Sequence, residues 1–114
     1  MNDRELLEFA AKAAGIHIEM WTPSKQVGEH APMALVGKDL MPWNPLTDDG
    51  DALRLAVKLG LSVSMPSDKY PSAHAQEWHG QGPCARAVPA ENDPYAASRR
   101  AITETAAYIG KYPS

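Results

Sequence analysis

The stretch that decides the fold runs from Trp43 to Gly60 and reads WNPLTDDGDALRLAVKLG. Asn44 precedes Pro45, and a residue before proline is pushed out of helical geometry, so the chain turns there. Thr47 or Asp48 then brings a side-chain oxygen to the first free amides of a helix. From Thr47 to Leu59, Asp51, Arg54 and Lys58 share one narrow stripe, whereas Ala52, Leu53, Leu55, Ala56, Val57 and Leu59 cover the rest. That pattern predicts a helix buried on more than one side, at the structural centre of the domain. Gly60 supplies the left-handed residue that closes it.

Towards the amino terminus, Leu6, Leu7, Phe9, Ala10, Ala13 and Ala14 fall on one arc of a helix from Asp3 to Ala14, with Arg4, Glu8 and Lys12 opposite. Asn2 or Asp3 can cap it and Gly15 can end it. Ile16, Ile18 and Met20 then alternate with His17, Glu19 and Trp21, which predicts a half-buried strand. Residues 22–32 include Pro23, Gly28 and Pro32 and read as a loop, followed by a second strand around Met33 to Val36 that pairs with the first.

Towards the carboxyl terminus, Leu61, Val63 and Met65 alternate with Ser62 and Ser64 as the next strand. Further strands are expected from Ala73 to His79 and from Cys84 to Val88, around a Gly80–Pro83 turn. Asp93 caps and Pro94 opens a last helix to Ile109, with Tyr95, Ile102, Ala106 and Ile109 on one stripe, Gly110 as the stop and Arg100 paired with Glu104. The order α-β-β-α-β-β-(β)-α predicts a single α/β (α+β) domain over residues 1–114. Its small antiparallel or mixed sheet of about four to five strands would be covered by the helices as an α/β/α sandwich.

Composition bounds the function. The chain has 114 residues, enough for one core. With 44% hydrophobic and 22% charged residues it falls outside the signature of disorder. The net charge is −3 and the basic residues are scattered, so no stripe would neutralise a row of phosphates, and nucleic acid is not an expected partner. A lone Cys84 cannot close an internal disulfide, the first residues are charged, and no stretch is long and apolar enough to span a membrane. The expected location is the cytoplasm.

Three blocks resemble the phage ABA sandwich domain family of small bacteriophage and prophage proteins: NDRELLEFAAKAAGI at residues 2–16, WNPLTDDGDALRLAVKLGL at 43–61 and NDPYAASRRAITETAAYIG at 92–110. They cover the helices and their caps, about half of the chain, and the middle block is the most specific. The resemblance implies a layered α/β fold, a phage or prophage origin and expression in the bacterial host cytoplasm. It implies no enzymatic activity. The tract from Ser67 to Pro83, rich in His, Pro, Ser and Gln, departs from the charged hairpin the resemblance would place there.

Candidate chemistry is sparse. Asp48, Asp49 and Asp51 could hold a hard cation, but acids in a first helical turn are accounted for by capping and the helix dipole. His74, His79 and Cys84 are zinc-ligand types, yet no Cys-x-x-Cys pair accompanies them, and in a strand His74 and His79 point to opposite faces. Cys84 beside His79 or His74 could act as a nucleophile, but no oxyanion-donor motif goes with it. No catalytic residue, cofactor or metal site is therefore assigned. Trp43, beside the Asn44–Pro45 turn, is read as core that staples the helix start. Trp21 and Trp78, on the polar faces of their strands, are the candidate interaction surface. Arg99, on the edge of the last helix's apolar stripe, is expected to bridge to Asp48 or Asp49.

The leading expectation is a non-enzymatic accessory protein that binds a host or phage protein, or a second copy of itself. The alternative is a small ligand-binding or hydrolytic domain with its site at the start of the middle helix, near Trp43 and Asn44.

Overall fold

The computed structural model describes residues 1–23, 30–36, 38–67, 72–77, 86–89 and 93–112. Helix α1 spans Asp3–Ala14, α2 spans Asp49–Leu59 and α3 spans Pro94–Lys111. Strands β1 (Ile18–Pro23), β2 (His30–Val36) and β3 (Asp39–Pro42) form one antiparallel sheet, in that order. Strands β4 (Leu61–Ser64), β5 (Ser72–Glu77) and β6 (Arg86–Pro89) form a second. The mixed α/β class is as the sequence implies, with the strands divided between two sheets of three.

Local signals place the helix ends. The Asn2 side chain accepts from the Glu5 amide at 2.8 Å and Asp48 accepts from Asp51 at 2.8 Å. Asp93 accepts from Tyr95 and Ala96, and Pro94 takes the first turn, where its missing N–H costs nothing. Gly15 and Gly60 close α1 and α2 at φ +70° and +65°, a left-handed backbone that residues with a Cβ rarely adopt.

Four expectations are corrected. Helix α2 buries one side only, through Ala52, Leu55 and Ala56, while Leu53 is 63% and Val57 73% exposed. It is therefore not the centre of the domain. That place belongs to α3, which packs on α1, α2 and the second sheet and buries Ala97, Ser98, Ala101, Ile102, Thr103, Thr105, Ala106, Ala107 and Gly110. Its small side chains let neighbours approach from several directions, and the apolar stripe read from Tyr95 to Ile109 does not capture this; Tyr95 is exposed. The buried hydroxyls are satisfied: Ser98 donates to the Pro94 carbonyl, Thr103 to that of Arg99 and Thr105 across to that of Ala75 on β5.

The second correction concerns Gly110. It does not stop α3, which continues to Lys111; it lies against α1, where a Cβ would run into the carbonyl of Phe9. The third concerns β1. A register shift between Ile18 and Met20 inserts a bulge, and an added residue reverses every face that follows. Ile18 packs against the core as read, but Met20 then points out and Trp21 packs in.

Pro32, assigned to a loop in the sequence, lies in the central strand β2, where its carbonyl accepts from the Trp43 amide at 3.1 Å. That bond extends the β2–β3 ladder to the turn before α2. On an open helix surface, replacing Gly110 by alanine would raise stability by up to about 1 kcal/mol through helix propensity. Here Gly110→Ala is expected to lower it by about 1–3 kcal/mol through overpacking against α1, as read by urea denaturation. A gain in stability would contradict the close approach.

Candidate functional site

The first sheet has an unusual outer face. Ile18 pairs with Ala34 and Trp21 with Pro32, and these residues pack towards the core. Residues directly opposite in a ladder share a face, so Met20, Met33 and Pro42 form one row on the other side, with Leu35 and Leu40 in the next. Met20, Leu35 and Leu40 are each between 41% and 47% exposed. Met41, on the inner side of edge strand β3, is 50% exposed, so the apolar surface continues round the sheet edge. Met20, Met33 and Met41 are three of the chain's five methionines.

The second sheet contrasts with it. Leu61, Val63, Ala73 and Ala75 belong to or pack on the core, while its outer face carries Ser62 opposite Gln76 and Ser64 opposite His74. Two sheets of equal strand number thus present opposite chemistry to solvent.

Trp21 is not the exposed anchor expected from its alternation with Met20. It packs against the core, and the Arg4 guanidinium covers its ring at 4.5 Å from the centroid. Trp78, the other half of that expected surface, lies outside the described residues, as do His79, Cys84 and the Gly80–Pro83 turn.

Around the start of α2 the residues singled out in the sequence form one network. Asn44 makes the turn: its side chain accepts from the Leu46 amide at 3.0 Å and its carbonyl from the Thr47 and Asp48 amides. Asp48 caps; Thr47 precedes the cap and its hydroxyl reaches the Asn44 carbonyl at 3.5 Å. Asp51 reaches back to the Asn44 amide at 3.0 Å and accepts from Arg54 at 2.8 Å. Trp43 is buried beside this turn. Arg99 closes the network from α3, donating from Nε to the Leu46 carbonyl at 2.9 Å and from Nη1 to Asp49 at 2.6 Å. With these acids and carbonyls satisfied by backbone or by Arg54 and Arg99, the arrangement is that of a structural joint. Of the amides here, that of Asp51 is taken by the Asp48 cap and that of Asn44 by Asp51.

A groove of about 630 Å³ opens next to this joint, between α2, the end of α1 and the β2–β3 hairpin. Trp43, Ala34, Leu55, Ile16 and Met41 give it apolar lining, and Asp51, Arg54 and Lys58 give it one polar wall. Its size is that of small-molecule sites, and sequence spacing alone could not have assembled it, because its walls come from widely separated segments. Among the described residues no group of three or more His, Cys, Asp or Glu side chains is placed to hold a metal ion, and no helix is long and apolar enough to cross a membrane.

Comparison of this chain with protein-family models, with curated proteins and with solved structures finds no match. The Arg99 contacts are separable by mutation. Because Asp49 is largely exposed, Asp49→Ala is expected to cost less than about 0.5 kcal/mol. Arg99→Ala also strands the Leu46 carbonyl and should cost about 1–2 kcal/mol. Equal losses in thermal or urea unfolding would contradict this division.

Proposed function

We propose that this chain is a non-enzymatic phage or prophage accessory protein that acts in the bacterial host cytoplasm by binding another protein. The observation that carries the binding reading is the exposed methionine- and leucine-rich outer face of the first sheet. Protein-binding surfaces favour methionine, because an unbranched, polarisable side chain adapts to a partner without a fixed shape. The phage assignment rests on the resemblance of the three helical blocks and on nothing else in the molecule.

The reading commits the contact to one place: the outer face of β1–β2–β3, with Met20, Leu35 and Leu40 as its core and β3 as its rim. β3 does not invite strand addition, since Pro42 lacks an amide hydrogen for a new ladder. The partner is therefore expected to lie across the face, burying side chains. A host or phage protein is the partner proposed, and a second copy of the chain is the variant form of the same contact.

A photoreactive amino acid at Leu40, compared with one at Ser64 on the polar sheet, tests this inside phage-infected cells. Leu40 is expected to yield a discrete protein adduct and Ser64 none; an adduct of twice the chain mass would identify the partner as a second copy. Adducts at neither position, or equal adducts at both, would overturn the reading.

A further inference from the structure

The groove beside α2 carries charge information that the outer sheet face does not. Arg54 and Lys58 stand four residues apart on its polar wall, with Asp51 between the groove and the Asn44 turn. Both oxygens of Asp51 are taken, Oδ1 by Arg54 and Oδ2 by the Asn44 amide, and its side chain is only 12% exposed. Arg54 also stands 3.8 Å from Asp48, so its charge is answered twice. Lys58 has no carboxylate partner among the described residues.

At the end of α1, two of the last-turn carbonyls are already engaged. The carbonyls of Ala11 and Lys12 there accept from the amides of Ile16 and Gly15. Among the described residues the unbalanced charge of the groove is therefore a single positive one, beside a trough lined by Trp43, Leu55, Met41 and Ile16. An exposed lysine at the end of a helix interacts with its own dipole, which accounts for Lys58 at that position but not for the apolar trough below it.

We propose that this groove binds an amphipathic carboxylate, its hydrocarbon chain along Trp43, Leu55 and Met41 and its head group on Lys58. The trough supplies affinity through apolar burial, and the ammonium selects the charge of the head. The groove borders the outer sheet face and shares Leu35, Pro42 and Met41 with it, so Trp43, Leu55 and Lys58 report on the groove and Met20 and Leu40 on the sheet face.

Decanoate, decanol and decyltrimethylammonium share one chain and differ in head charge. Each is titrated into the intact protein by calorimetry, with the Trp43 indole and Leu55 methyl resonances followed by NMR. The expected result is saturable binding of one decanoate per chain with shifts at Trp43 and Leu55, and at least about tenfold weaker binding of the other two. Lys58→Gln, at an exposed position that leaves the core untouched, should weaken decanoate by about tenfold and leave decanol unchanged. Met41→Asp, also exposed, should weaken both. The proposal is overturned if decanoate does not bind, if the cationic or neutral amphiphile binds as well, if Lys58→Gln changes nothing, or if the shifts cluster at Met20 and Leu40 instead.

Discussion

The constraint on which the rest of the structure depends is the close contact of α1 and α3 at Gly110. With no side chain there, the backbone of α3 comes against the Phe9 carbonyl of α1, and the two helices pack more tightly than any larger residue would permit. This approach goes with an α3 whose buried positions are alanine, serine, threonine and glycine, with Ile102 the one larger residue among them. A helix enclosed by α1, α2 and the second sheet has little room for long side chains, so its core contribution comes from many short contacts and a few leucines of its neighbours. The buried hydroxyls follow from the same geometry. Each finds a carbonyl within its own helix or, for Thr105, on β5, so the crowded helix carries no unsatisfied side-chain group among the described residues.

The first sheet is attached to this assembly differently. It meets the core through Ile18, Trp21, Ala34 and Trp43, and its continuation through Trp43 leads into the joint that Asn44, Asp48, Asp51 and Arg99 make at the start of α2. One face is thereby anchored and the other left to solvent. The helical centre thus carries a sheet whose outer residues Met20, Leu35 and Leu40 are exposed among the described residues.

Much of the helical architecture was legible in the sequence, because helix ends are written locally. Asn2, Gly15, Asp48, Gly60 and the Asp93–Pro94 pair each act within a few residues of themselves. Arg99 was legible for another reason: a cation on the buried edge of a helix needs acceptors, and the acidic start of α2 supplies one, although the Leu46 carbonyl it also engages leaves no trace in residue types. What could not be read depends on partners distant in the chain. Gly110 follows the last apolar residue of its helix and looks like a stop until α1 is placed beside it. The bulge before Met20 is a matter of register with β2, and it turns the apparent anchor Trp21 inward and the apparent core residue Met20 outward. The exposed Leu53 and Val57 mislead in the same way, since burial on α2 is decided by where α3 lies and not by its own hydrophobic count.

The outer face of the first sheet and the groove beside α2 were both invisible to spacing, since each joins segments that only the fold brings together. The α1–α3 pair is the most closely packed part of the molecule, so the order of stability within it is the account's most direct consequence. Native-state hydrogen exchange measures it residue by residue. The account predicts that amides from Ala101 to Ala107 on α3 exchange most slowly, only through global unfolding, with α1 close behind and the first sheet opening more readily. Slowest exchange in α2 or in β1–β3, with α3 opening first, would contradict it.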